Sequence, residues 1–361
     1  MAVTLPSINI TFQQLAGTFI QRSARGIAVL IVRDDTEGSG ESFFRYGDAT
    51  QVSATEFTEE NQRYIKDALF FGPLRVSVIK IGSEGTLADA LAILVQQEQT
   101  GWITLADGTS QDWSDLTSWI KARENEQKSW KAVCYNTTPP DCMHVVNFGT
   151  ETVIFADDRE TQPGSTYTPS LVGLLAACNV KRGATNHLCS NLTRVVVPED
   201  PNEVVGAGKF ILINDDDLVR VGVDVNSLTT VDGKTKTEDM KYIETVEAMD
   251  LMRDDIAKSY RTDYMGQYKN STANQMLFLA AVNEYFRQLA TEDVLDPEHA
   301  NTAGVDVEEQ RNAWIGSGKA EAADWDDATV ISTPFKRELF LAGDVKILGS
   351  MGSLHFVVTL M

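Results

Sequence analysis

The chain has 361 residues, 43% of them hydrophobic, and carries 52 acidic against 31 basic side chains for a net charge of −21. That length holds two or three domains, and the apolar share is that of a folded protein, which excludes a disordered chain. The acidic balance and scattered Lys and Arg exclude a nucleic-acid partner, which needs a basic stripe, and no apolar run approaches the roughly 18 residues that cross a bilayer.

Residues 1–14 (MAVTLPSINITFQQ) have neither a basic n-region nor an apolar h-region, so synthesis in a cytoplasm without export is expected. Within them Val3 and Leu5, then Ile8, Ile10 and Phe12, occupy every second position, the period of a strand with one buried face. Pro6 between the two runs suits an edge or an arm. No hairpin turn follows, so the partner strand lies far along the chain or in another chain. From Gly26 the pattern turns globular. Residues 27–32 (IAVLIV) read as a strand buried on both faces. Thr58 caps a helix over 58–71, and 75–81 is a strand; Thr86 caps a helix over 87–97, and 102–105 is a strand. A helix opens at Ser110, and 131–135 is the next strand. This alternation predicts βαβ units and a largely parallel sheet. Yet neither GxGxxG nor GxxxxGK[ST] occurs, so the phosphate cradle of nucleotide-binding folds is missing.

Residues 136–165 are turn-rich around one strand, 152–156, and a helix begins at Thr168-Pro169. Runs at 194–197, 209–213 and 218–223 read as strands, the last two as a hairpin across the acidic turn 215–217, with 225–230 extending it. Met240, Ile243, Val246, Met249, Met252, Ile256 and Tyr260 form one stripe of a long helix. Residues 274–289 form a second helix and 307–315 a third, stopped by Gly316 and Gly318. Two strands close the chain, 336–342 and a segment running 345–348, broken at 349–352 and resuming over 354–360. Leu354, Phe356, Val358 and Leu360 share one face of that last piece, again without a local partner. The expected organisation is an N-terminal arm (1–25), an α/β domain (26–205), a C-terminal domain of hairpin and helices (206–344) and a C-terminal arm (345–361). The fold class is mixed α/β (α+β) with extended β-strand arms at both ends.

Catalytic and metal-binding candidates are thin, and no catalytic residue, cofactor or metal is expected. Four histidines form no nucleophile–base arrangement with Ser or Cys, and there is no GxSxG. Cys142 with His144 and His187 with Cys189 lack the spacings of a zinc site, and free thiols are the default for Cys134, Cys142, Cys178 and Cys189. The carboxylate pairs Asp157-Asp158 and Asp254-Asp255 and the triplet 215–217 could bind a divalent ion. Turn chemistry and the polar side of an amphipathic helix account for the triplet and for Asp254-Asp255. An enzyme on the α/β domain would lack a phosphate loop, a triad and a metal motif. The two unpartnered terminal strands remain. An exposed strand edge is a template for another chain, and FVVTL (356–360) carries no blunting charge. Pairing within the subunit and pairing between subunits are both open at this point.

The N-terminal LPSINITF followed by Arg22-Ser-Ala-Arg-Gly26, the stretch 225–230 (VNSLTT), the helices 244–256 and 278–289, and the end 345–360 resemble the tail sheath proteins of contractile phages and of phage-tail-like bacteriocins of Gram-positive bacteria. VNSLTT and the C-terminal arm are the most specific parts, and 134–195 matches least. The resemblance implies a structural, metastable polymer of stacked, six-fold rings around an inner tube. Its partners would be further copies of itself, the tail tube protein, and baseplate and terminator proteins, with no membrane insertion and no ATP. It would assemble in a bacterial cytoplasm and leave on lysis as part of a virion tail or tail-like particle. Both arms would be lent to neighbouring subunits, with Arg22, Gly26, Gly349 and Gly352 as hinge candidates, and Glu308, Arg311 and Trp314 on 306–318 facing the tube. Another ring- or tube-forming phage structural protein is the alternative.

Overall fold

The structure is a computed structural model that describes residue 20 and residues 25–178, 180 and 182–358. The predicted arm residues Val3, Leu5, Ile8, Ile10 and Phe12, together with Arg22 and Leu360, lie outside the described residues. The described chain forms two compact units, one of 25–254 with 347–358 and one of 255–346. The boundary expected at 205/206 falls inside the first unit, because the short strand at 209–210 joins that unit's main sheet.

In the first unit the elements follow the predicted alternation. They are β1 (Ile27–Arg33), β2 (Phe43–Tyr46), α1 (Glu59–Leu69), β3 (Arg75–Ile81), α2 (Leu87–Gln97), β4 (Gly101–Leu105), α3 (Ser110–Asn125), β5 (Trp130–Tyr135) and β6 (Val145–Phe148). Then come β7 (Thr152–Phe155), β8 (Thr161–Pro163), α4 (Thr168–Ala177), β9 (Leu192–Val195), α5 (Pro201–Gly206), β10 (Lys209–Phe210), β11 (Leu212–Asp215) and β12 (Leu218–Val221). Seven strands form one sheet in the order β10-β6-β5-β4-β1-β3-β2, parallel except for the edge strand β2. β1 explains its own unbroken apolar run. Ala28, Leu30 and Val32 pack with α1 and α4, whereas Ile27, Val29 and Ile31 pack with α2 and α3. A strand covered on both faces has no polar side to show.

One predicted extension is corrected. Residues 225–230 do not prolong the β11–β12 hairpin. Val225 bridges to Tyr242 and 225–228 are buried, with Ser227 donating to the Cys142 carbonyl at 2.9 Å and Asn226 to that of Met240 at 2.7 Å. The acidic turn itself is a hairpin, with Asp215 opposite Leu218 and Asp216 at φ 50. The turn-rich stretch also hides strands β6 and β8, which are too short for their periodicity to register.

α6 (Ile243–Ser259) runs from the first unit to the start of the second, which holds α7 (Thr272–Thr291), β13 (Thr302–Val305), α8 (Val307–Gly316), α9 (Asp327–Ser332) and β14 (Leu341–Asp344). The strand expected at 336–342 begins only at Leu341, because 336–337 make a turn with Lys336 at φ 39. β13 pairs antiparallel with β14, and the Asn283 side chain on α7 bonds the Ala303 backbone in both directions, at 2.7 and 3.0 Å. Among the described residues no helix is long and apolar enough to cross a membrane.

The tightest helix contact rests on a glycine. A Cβ on Gly173 of α4 would lie 2.0 Å from the Ala68 carbonyl oxygen of α1, a backbone atom that cannot swing aside. Gly173→Ala is expected to lower unfolding free energy by about 2–3 kcal/mol, as overpacking does; urea denaturation of the soluble subunit checks it.

Candidate functional site

Helix α6 carries Glu244, Glu247, Asp250 and Asp254, spacings of three and four that put four carboxylates on one face. Glu247 accepts from Trp102 Nε1 at 2.8 Å and faces Lys131 Nζ at 3.1 Å and Arg25 at 3.9 Å. Asp250, buried, sets Oδ2 2.8 Å from Lys131 Nζ and Oδ1 3.2 Å from His144 Nε2, with Arg253 against the same Oδ1. Asp254 takes Arg25 at 3.0 Å and the Ser129 hydroxyl. At the helix start, Glu244 accepts from the Ser350 amide at 2.7 Å and from its hydroxyl at 2.5 Å.

This stripe therefore holds both roots of the predicted arms. Arg25, the first residue of the described body after 21–24, is pinned by Glu247 and Asp254. Ser350, inside the predicted C-terminal break, is pinned by Glu244. Beyond Ser350 the chain is open. No regular structure is assigned over 348–358, and Leu354, Phe356 and Val358 are 87%, 78% and 63% exposed. Val357, on the opposite alternation, is exposed as well, so both alternations of 354–358 lie open among the described residues. Among the described residues, 348–358 pairs with no strand of the body.

The other predicted residues fall as follows. Gly26 sits in the left-handed region at φ 80, where a Cβ would meet the Ala176 carbonyl at 3.2 Å, so its glycine is set by close packing. Gly349 lies beside Glu244 and Gly352 in open space. On α8, Glu308 is exposed, but Arg311 pairs with Asp327 at 2.7 Å. Trp314 donates to the Thr333 carbonyl at 3.0 Å and packs edge-on against Trp325 and Phe335. Two of the three proposed tube-facing side chains thus fasten α8 to 325–335.

Sequence reading missed the buried polar cluster. It assigned Asp254 and Asp255 to the polar side of α6, yet Asp255 is fully buried and accepts from Tyr285 at 2.7 Å. The stripe of Met and Ile concealed the second, charged stripe, whose only signal was the three- and four-residue spacing of acids. Of the conceivable zinc halves, Cys142 and His144 meet on Glu124, at 3.1 and 2.7 Å, while His187 packs on Phe71. Burial works against charging His144, but Asp250 and the hydrogen bonds to Asp250 and Glu124 outweigh it and hold its pKa above the ordinary value. Burial likewise opposes ionisation of Asp250, yet Lys131, His144 and Arg253 keep its carboxyl well below the usual range.

Residues 235–360 match the family described as the phage tail sheath C-terminal domain. A tail sheath protein of Clostridium phage phiCD119 is 28% identical over 319 residues, covering 85% of this chain and 86% of the relative. Among solved structures, the sheath tail protein of Desulfitobacterium hafniense aligns with TM-score 0.67 at 15% identity, over 83% of this chain and 94% of its own. The helical sheath of the anti-feeding prophage in its contracted state aligns with TM-score 0.68 at 13% identity, over 100% of this chain and 99% of its own. The likeness therefore covers the C-terminal arm as well as the body.

One carboxyl next to the arm root titrates near neutrality. Asp224 is buried, and burial first, with the charges of Glu244 and Glu247 adding to it, raises its pKa to about 7. The folded state keeps a proton that the unfolded chain releases above about 4, so this contribution to stability is full below about 4 and lost as pH rises through about 7. Asp224→Asn removes the loss. Its stability advantage over the wild type is expected to widen between pH about 4 and 7 and level off above, reaching on the order of 2–4 kcal/mol; urea denaturation at a series of pH values measures it.

Proposed function

We infer that the chain works as the repeating subunit of a contractile tail sheath, since it is related to a tail sheath protein over 85% of its length and shares the sheath fold throughout. The observation that carries the reading is the C-terminal segment 348–358. It exposes Leu354, Phe356, Val357 and Val358 and has no strand partner among the described residues, and it sits on a body that holds its root at Glu244. Such a segment gains by adding itself as a strand to another subunit's sheet. Among the described residues β13 and β14 pair only with each other, and a two-stranded sheet is marginal alone, so it is a suitable receiver.

On this reading, arms 1–25 and 345–361 tie subunits into stacked rings around an inner tube. Two packings of the same subunits differ in free energy, and passage from one to the other drives the tube forward, with no catalytic step. Movement needs pivots outside the stapled segments. Gly349 and Gly352 flank the Ser350 anchor, and on the other side the pivot precedes Arg25. Baseplate and tube proteins are the expected partners, and assembly takes place in the host cytoplasm before release.

Wild-type chain, concentrated after expression, is expected to form wide tubes or stacked rings in negative-stain images. Deleting 350–361 is expected to leave a soluble subunit with unchanged circular dichroism and melting that no longer sediments as polymer. Tubes from the truncated chain would sink the role of the arm, and a wild type that remains monomeric at high concentration would sink the sheath reading itself. Narrow tubes formed by this chain alone would favour another tube-forming structural protein.

A further inference from the structure

The second unit contains a surface that the arms do not explain. Tyr260, Tyr264 and Phe278 pack ring on ring at 4.7 to 5.2 Å, and Tyr268 stacks 5.4 Å from Tyr264. They floor a cavity of about 600 Å³ whose rim carries Lys269, Lys336 and Arg337. These three cations are exposed, and among the described residues none makes an ion pair. With Arg261 they outnumber the neighbouring acids Asp263 and Glu338, on a chain of net charge −21. Met265 and Tyr268 add exposed apolar area, at 56% and 44%.

The site is built. The buried Gln275 amide donates to Asn270 Oδ1 at 2.8 Å, and Asn270 donates in turn to the carbonyls of Phe335 at 3.1 Å and Glu338 at 2.9 Å. That chain of amides fixes the turn that carries Lys336 and Arg337, with Lys336 in the left-handed region at φ 39. Gln275 Oε1, buried beside the cavity, has no hydrogen-bond partner among the described residues. The floor includes a five-residue π-turn, Tyr260–Tyr264, a geometry that concentrates at functional sites.

We propose that this basic, tyrosine-floored pocket docks the outward face of α8 from a second copy of the chain; the proposal rests on the sheath reading and names one of its contacts between subunits. The complement lies on the same unit. Glu308 and Ile315 are seven residues apart on α8 and so share one face, and Glu309 flanks it. Glu308 and Glu309 are exposed and make no ion pair among the described residues, and Ile315 is 38% exposed. Carboxylates to Lys336 and Arg337, and Ile315 onto Met265 and Tyr268, match charge to charge and apolar to apolar. A contact between two different patches of one chain is heterologous and propagates from copy to copy, as a polymer requires.

The test uses the full chain. K336E/R337E and, separately, E308K/E309K are expected to raise the concentration needed for polymerisation by at least about tenfold, with melting unchanged because all four side chains are exposed. The quadruple charge swap is expected to restore it. Either double variant polymerising like the wild type overturns the proposal. Loss without rescue by the swap overturns α8 of a second copy as the occupant. Normal polymers that no longer co-sediment with the tube protein would assign the pocket to the tube instead, which also overturns it. A wild type that never polymerises removes the sheath reading and this contact together, an outcome separate from failure of the contact in a polymerising chain.

Discussion

The structure of the first unit turns on a carboxylate that could not sit where it does alone. Asp250 is buried between Lys131 of β5 and His144, just ahead of β6. An unpaired charge there would be prohibitive, and removing one partner of a buried pair typically costs about 3–5 kcal/mol. The pairing therefore fixes the rotation and axial position of α6 against the sheet, since any slip of the helix would strand Asp250 without Lys131 and Glu247 without Trp102. Apolar packing alone would tolerate such a slip more readily, because Met and Ile contacts are non-directional.

Fixing α6 fixes the arm roots. Glu244 and Asp254 are ten residues apart on one helix, about 15 Å at the helical rise, and they hold Ser350 and Arg25 respectively. Charge-assisted hydrogen bonds join both segments to the helix, and Trp102 and Lys131 join the helix to the central strands β4 and β5. A tether rooted in surface loops would dissipate a pull in loop motion.

Much of the first unit was legible in the sequence, because doubly covered strands and capped helices leave strong local signals. The IAVLIV run, Thr58 and Thr86 as caps, and the acidic hairpin turn all sit where the pattern put them. The strand expected over 354–360 is not formed among the described residues, where Leu354, Phe356, Val357 and Val358 are all exposed. What stayed hidden was non-local. The carboxylate stripe of α6 looked like an ordinary solvated face, because its partners Lys131, His144 and Arg25 lie more than 100 residues away. The turn at 336–338 read as a strand because Leu339, Phe340 and Leu341 extend an apparent apolar run, and only the Asn270 clamp decides otherwise.

A doubly wound sheet usually offers a ligand crevice beyond the carboxyl ends of its strands, where helix amino termini attract anions. Here those termini supply their own. Asp34, directly after β1, accepts from the Thr58 amide at 2.7 Å and from Asn61 at 2.8 Å at the start of α1. Burial opposes its charge, but hydrogen bonds from Thr36 first, then Asn61 and Thr58, hold its carboxyl well below the usual range. Asp89 closes a capping box with Thr86 on α2, and Asp112 does so with Thr109 on α3 while pairing with Arg33 at 2.8 Å. An incoming phosphate would meet three carboxylates already occupying the positive ends of the helix dipoles. The same interactions that a nucleotide-binding protein leaves open for its ligand are closed internally here, and they stiffen the crevice. The crevice is thus closed by the chain's own carboxylates, which tie β1, α1, α2 and α3 together.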